Sequence, residues 1–399
     1  MKTAERIISV TVAALLLAAF ALYAFLCPRA DKLSVVLSGI TFILIAAVIL
    51  PNVRSMLAFF GAPLNRTDFE AIGERSRSRL HPGFSVAIVA FFAQLLIIFV
   101  IYLLFTLRNG YCGTLFTVFR KLFVRSIPSF IPSSEYTVLI AFILNSIVVS
   151  VMAVVLYEFM LLDHDKRTSL FSVGLLLVSP AVFYLLMPFS GYSLLMLCTL
   201  LCLFLLKTAR PLRALIFLIL SVLVNTSGII LIVPFVLYAV QLLKKNRSEG
   251  RRISPEIVSL SLLLAFIIAA AAVIALELYI PASAYEFFPN GFRFFFETAS
   301  EAAARLSRPV VTVCTQFLLL ILLALFAGRL DFPILVHSFL FITVLPSTLA
   351  PSTAMYALLT CPTLPVVIGT AAEKKPWRTV FCILLPSALV LCSLFVFAN

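Results

Sequence analysis

Charge is scarce in this sequence. Only 12% of its 399 residues are charged, with 17 Asp and Glu against 30 Lys and Arg. A soluble globular chain is about 25% charged and roughly 45–50% apolar. Here 63% of residues are hydrophobic. A soluble core of this size has no room for that much apolar surface, so lipid is the expected solvent. Metal ligands are also sparse. There are three His, and the eight Cys lack zinc-type spacing; Cys198 and Cys202 share one helix face with no second pair nearby. They read as small apolar residues of membrane helices. The net charge of +13 does not point to nucleic acid, because the cations sit in short clusters between apolar runs rather than on one wet face.

What remains is a succession of apolar runs. They fall at about 7–27, 33–51, 84–107, 136–157, 169–187, 192–206, 257–279, 309–327, 332–347, 355–371 and 379–397. A straight span needs roughly 20 residues, so the shorter runs have loosely set ends. The N-terminal run resembles a signal peptide, but it is long enough to span and Phe25-Leu26-Cys27 lacks a small residue before the Cys. It is expected to be a retained first helix. The stretch 214–243 is a long apolar run interrupted by Asn225-Thr226-Ser227-Gly228.

Charge sets the orientation. With the N-terminus cytoplasmic, 21 of the 30 Lys and Arg fall on the cytoplasmic side, as the positive-inside rule requires. Both flanks of 214–243, Arg213 and Lys244, then belong inside. The segment must enter and return, with Asn225–Gly228 as the break at its deep point. Non-helical backbone at such depth has to be shielded by protein or face a water-filled cavity. The expected fold is all-α: a polytopic transmembrane helical bundle of about 11–13 spans with a broken helix pair. The whole chain, 1–399, reads as one integral membrane domain in the cell membrane. It divides into an N-terminal helix pair with a cytoplasmic loop (1–83), a core (84–245) and C-terminal helices (246–399).

Two extracytoplasmic stretches are long enough for chemistry. In 114–126, Leu115, Phe116, Phe119, Leu122 and Phe123 form one helical stripe, with Arg120, Lys121 and Arg125 off it. Such a segment lies flat in the headgroup layer, as an anchor or as a cationic lip for a lipid phosphate. In 284–308, seven aromatic residues alternate with Glu286, Arg293 and Glu297, and Glu301 and Arg305 make an i, i+4 pair. Interfacial packing is the default there, and a slot for a prenyl tail is the alternative. Two further features are weighed the same way. Asp163-His164-Asp165 has metal-like composition but lies in a basic turn and reads as a solvated loop. His337 lies inside an apolar run, where one hydrogen bond to a neighbouring helix satisfies it.

Val178-Ser179-Pro180-Ala181-Val182-Phe183-Tyr184, then Pro188-Phe189-Ser190-Gly191-Tyr192, a Leu-rich span, the basic turn Lys207–Arg213 and the broken segment to Pro234 follow one another. This order resembles the membrane core of GT-C glycosyltransferases, most closely the PIG-V mannosyltransferase family, over about residues 84–245. The helix at 114–126 resembles that family's juxtamembrane helix, and Gly110-Tyr111 echoes a Gly-Tyr of its first outer loop. The resemblance implies transfer of a sugar, mannose in that family, from a polyprenyl-phosphate donor to an acceptor on the extracytoplasmic face. The chain departs from the family in its acids. The family's catalytic Asp beside a Trp is missing, residues 108–134 hold no acidic residue, and Gly191 stands where an acidic residue is expected.

That reaction needs a carboxylate base for the acceptor hydroxyl and cations for the leaving phosphate. The expected base is Glu135 or Glu286. The expected substrate-binding residues are Arg108, Tyr111, Arg120, Lys121, Arg125, Tyr192 and Arg293. The chemistry accommodates a divalent metal, but the sequence shows no ligand set for one. Expected partners are membrane lipids and the lipid-linked sugar, with no nucleic acid. The alternatives are a catalytically silent GT-C-like protein that binds lipid or supports a partner, and a transporter or lipid flippase.

Overall fold

A computed structural model describes residues 10–11, 13–14, 17–18, 40, 43–53, 83, 85–96, 135–186, 191–248, 255–279, 310–344 and 358–396. Among them every regular element is helical. The helices are α1 (Ile43–Val53), α2 (Ser85–Leu96), α3 (Glu135–Leu161), α4 (Lys166–Leu177), α5 (Ala181–Leu186), α6 (Tyr192–Lys207) and α7 (Pro211–Val224). They continue with α8 (Ile232–Ser248), α9 (Pro255–Tyr279), α10 (Val310–Phe326), α11 (Phe332–Thr343), α12 (Leu364–Ala371) and α13 (Lys375–Val396). Two helical stretches, Phe142–Leu161 and Ser227–Lys244, are long and apolar enough to cross a membrane.

The chain divides into two compact units. One comprises Met1–Asn65 and Ile230–Leu358, the other Arg66–Ile229 and Leu359–Asn399. In the first, α8 packs on α9 and α11, and α10 packs on α11. The buried Gln316 side chain of α10 donates to the carbonyl of Ile342 at 3.0 Å, tying α10 to the end of α11. His337 of α11 is buried and lies tilted against Phe341, ring centroids 5.7 Å apart.

The second unit is built around α3. α4, α5 and α6 pack on it, α7 packs along α6, and α12 packs against α4. Two tethers fix the direction of α3 against α6. Ser193, at the start of α6, donates to the Asn145 side chain, and Lys207, at its end, donates to Asp163 just past the end of α3. The two helices therefore run parallel. α4 returns from the Asp163–Asp165 turn, and α7 returns from the turn after Lys207. A Cβ on Gly191, at the start of α6, would lie 3.1 Å from the carbonyl oxygen of Val224, at the end of α7.

Three boundaries differ from the apolar runs. The run 169–187 is not one helix. α4 stops at Leu177, Ser179 caps its end by donating to the Leu176 carbonyl at 2.8 Å, and Pro180 stands just before the short α5. Proline has no N–H for the ladder and pushes the residue before it out of helical geometry, which explains the break. The run 332–347 yields a helix that stops at Thr343, and 355–371 yields the eight-residue α12, buried along its whole length. The interruption in 214–243 falls where the polar residues placed it. Asn225 is extended, and a 3-10 turn, Thr226–Leu231, follows. Asn225 accepts from the Ser227 N–H through its side chain at 3.0 Å and from the Gly228 N–H through its carbonyl at 2.8 Å. Most of the first apolar run, residues 33–39 and the whole of 280–308 lie outside the described residues.

Gly369 of α12 marks the closest approach in the second unit. A Cβ there would overlap the Ser172 hydroxyl of α4 and come within 2.9 Å of the Met160 methyl of α3. Gly369→Ala is expected to lower stability by about 1–3 kcal/mol, the usual cost of overpacking. Combining it with Ser172→Gly should recover part of the loss. Thermal unfolding of the two purified variants checks this, and additive losses would contradict the contact.

Candidate functional site

Most of the residues expected to carry chemistry lie outside the described residues: Glu286, Arg108, Tyr111, Arg120, Lys121, Arg125 and Arg293. Glu135 and Tyr192 can be placed. Glu135 opens α3 and Tyr192 opens α6, so the parallel pairing puts both toward the same end of the second unit. It does not put them at one level. Ser193 is bonded to Asn145, and ten further residues of α3 lead back to Glu135. At 1.5 Å per residue that is about 15 Å along the helix.

The two ends of this unit differ chemically. At one end three turns meet: Asp163–Asp165 after α3, Thr208–Arg210 after α6, and Ala372–Lys374 after α12. Lys207 is buried, donates to Asp163 and lies 5.5 Å from the centroid of the Phe159 ring. His164 Nδ1 is 2.6 Å from the Glu373 carboxylate, and its Nε2 is 3.3 Å from the Thr370 hydroxyl. Arg378 donates to the Ala372 carbonyl at 3.1 Å and covers the Phe171 ring at 5.5 Å. Asp165 is the N-cap of α4 and accepts from the Thr168 N–H at 3.1 Å. Hydrogen bonds from Thr168 hold the Asp165 carboxyl below its ordinary value of 3.8. The cap is therefore fully formed at neutral pH and weakens only as pH falls through that lowered value.

Asp163-His164-Asp165 is thus not the freely solvated loop its sequence suggested. Each of its three side chains has a separate partner, and together they clamp α3, α4, α6 and α12 at one end. No group of three or more His, Cys, Asp or Glu among the described residues is arranged to hold a metal ion.

The opposite end carries breaks in place of charges. α5 brings the Leu185 carbonyl to the Asn145 amide, and the other side of that amide accepts from Ser193. Gly191, at the start of α6, takes a left-handed φ of 71°. Asn225–Gly228 follows the end of α7, which Gly191 abuts. A Cβ on Gly228 would come within 2.5 Å of the Ser221 backbone, so the turn folds closely over the end of α7. With 16 residues in α6 and 14 in α7, this level lies about 21–24 Å from the basic end. Asn145 braces the breaks by spending both halves of its amide on neighbouring segments.

Deeper in the unit, Gln94 of α2 donates to the Ser150 hydroxyl at 3.2 Å and to the Ala90 carbonyl at 3.1 Å. Its own carbonyl oxygen and the Ser146 hydroxyl are buried without a partner among the described residues. Single polar residues within apolar runs were the only sequence signal for this seam. Comparison with protein-family models, curated proteins and solved structures gives no match.

Lys207 generates a direct test. Its ammonium is buried, while Asp163 is 38% exposed. Asp163→Asn should cost about 1–3 kcal/mol, between the values for exposed and fully buried pairs. Adding Lys207→Met should return stability toward the parent, because the stranded charge is removed. Chemical unfolding of the single and double variants reads this out. A double variant no more stable than Asp163→Asn would exclude the pair as the clamp.

Proposed function

We propose that this chain is a polytopic integral membrane protein with its basic end in the cytoplasm, and that it acts on a lipid-linked substrate from the opposite face. Apolar surface supports the membrane reading. Ile140, Leu144, Ile147 and Val151 follow one stripe of α3 and are 57, 58, 49 and 44% exposed, an arrangement that lipid satisfies and water does not. The clustered cations then set the orientation.

One observation carries the functional reading: the gathering of helix breaks at a single level. The hydrocarbon core of a bilayer is about 30 Å thick. Breaks about 21–24 Å from the basic end lie inside it, below the far surface. α3, at 27 residues and about 40 Å, continues past them. Interrupted backbone at that depth is tolerated beside protein or a water-filled cavity. A recess opening away from the cytoplasm suits the head of a polyprenyl-phosphate sugar whose tail stays in the lipid. The reading is a GT-C-like glycosyltransferase. Glu135 or Glu286 serves as base toward the acceptor hydroxyl. Arg108, Arg120, Lys121 and Arg125 stabilise the leaving phosphate, and Tyr111, Tyr192 and Arg293 complete the substrate contacts.

A second reading has its own support. Among the described residues of this unit no carboxylate stands at the level of the breaks. Glu158, Asp163, Asp165 and Glu373 belong to the basic end, and Glu135 opens α3 about 15 Å beyond Asn145. A recess without an acid fits a GT-C-like protein that holds a lipid without transferring a sugar.

Proteoliposomes of the purified protein, given radiolabelled polyprenyl-phosphate mannose and a membrane lipid extract as acceptor, separate the readings. The enzyme reading predicts labelled product, and a loss of at least about a hundredfold in Glu135→Gln combined with Glu286→Gln, the usual yield of one general base. Full transfer by the double variant would remove both carboxylates from the mechanism. Retention of donor without product supports the silent reading, and donor crossing the bilayer without product supports a transporter.

A further inference from the structure

The basic end holds more positive charge than its acids can neutralise. Lys166, Arg167, Lys207, Arg210, Arg213, Lys374, Lys375 and Arg378 come from three turns far apart in sequence. The contacts of Asp163 with Lys207 and of His164 with Glu373 and Thr370 draw those turns onto one surface. The acids there are Glu158, Asp163, Asp165 and Glu373: Asp163 is engaged with Lys207, Asp165 with the first turn of α4 and Glu373 with His164, and Glu158 makes a contact of its own. Lys207 and Arg378 are engaged too. Six cations remain with no partner among the described residues. Lys166, Arg167, Arg213, Lys374 and Lys375 are exposed, and Arg210 is half-buried.

Depth is set independently. The chain has a single Trp, Trp377, in the first turn of α13 and half-buried against Phe381 with ring centroids 6.1 Å apart. Trp favours the headgroup level of a bilayer, where an apolar ring meets a polar edge. Its neighbours Lys374 and Lys375 therefore sit at phosphate depth. A positive-inside bias alone calls for cations somewhere beyond each helix. It does not call for cations from three turns to share one surface whose carboxylates are all committed elsewhere.

We propose that the surface formed by the 163–167, 207–213 and 372–378 turns is a binding site for the anionic phospholipid headgroups of the cytoplasmic leaflet. The six free cations meet the headgroup phosphates, and Trp377 sets the depth. Basic clusters of this size beside a membrane attract anionic lipid by about 1 kcal/mol per cation. The site rests on the membrane reading above but not on the sugar-transfer reading.

The full-length protein, reconstituted in nanodiscs of phosphatidylcholine alone or doped with phosphatidylglycerol, provides the test. Lipid that stays bound on transfer to the gas phase is identified by native mass spectrometry. The expected result is selective retention of phosphatidylglycerol, weakened by salt and unaffected by inorganic phosphate at matched ionic strength. Neutralising Lys166, Arg167, Lys374 and Lys375 to Gln should reduce retention by about fivefold per cation removed. Neutralising the same number among Lys244, Lys245, Arg247 and Arg251 should leave most of it. Equal retention of the two lipids by the parent protein overturns the proposal whatever the variants do, and points to an acidic protein partner instead. So does displacement by inorganic phosphate, which marks a soluble-anion site. Purification without detergent would instead overturn the membrane reading itself.

Discussion

Lys207 is a buried cation that has to be neutralised, and its partner, Asp163, lies just past the end of another helix. A charge in an apolar setting leaves little freedom, because stranding it costs more than almost any packing fault. This contact forces α3 and α6 to end together and therefore to run parallel. The return of α4 and α7, the meeting of three turns at one end and the gathering of breaks at the other follow from that alignment. The Asn145–Ser193 bond repeats the register nearer the breaks. Together the two contacts measure the distance from the basic end to the breaks.

The same constraint accounts for the chemistry left at each end. At the basic end Asp163, Asp165 and Glu373 are used to hold helices, so the cations outnumber their partners and face outward. At the far end the backbone is interrupted after α4, before α6 and after α7, and small or polar residues occupy the gaps: Ser179, Gly191, Asn225, Ser227 and Gly228. Asn145 and Asn225 satisfy backbone groups that the breaks set free, as an apolar medium requires. These amides are braces.

Part of this was legible in the sequence. The all-helical class follows from composition, and the interruption at Asn225–Gly228 follows from four polar or small residues inside an apolar run. The interruption at Ser179-Pro180 had an equally local signal, but hydropathy averaging reads through one proline flanked by apolar residues. The clamp was not legible. Asp163 and Lys207 are 44 positions apart, and His164 and Glu373 are 209 apart. Nothing local tells which cation neutralises which acid, so the sequence alone makes the turn look solvated. Glu135 and Tyr192 open α3 and α6 toward the same end. Their separation along α3 depends on helix register, which only the Asn145–Ser193 contact reveals.

The central claim is a recess within the membrane that opens opposite the basic end. Single cysteines at Arg167 and at Asn225, in a background freed of the eight native ones, address it directly with a membrane-impermeant maleimide. In sealed, right-side-out vesicles the account predicts labelling of Asn225→Cys from outside, and labelling of Arg167→Cys only after permeabilisation. Labelling of both from the same side, or no labelling of Asn225→Cys from outside, would contradict it.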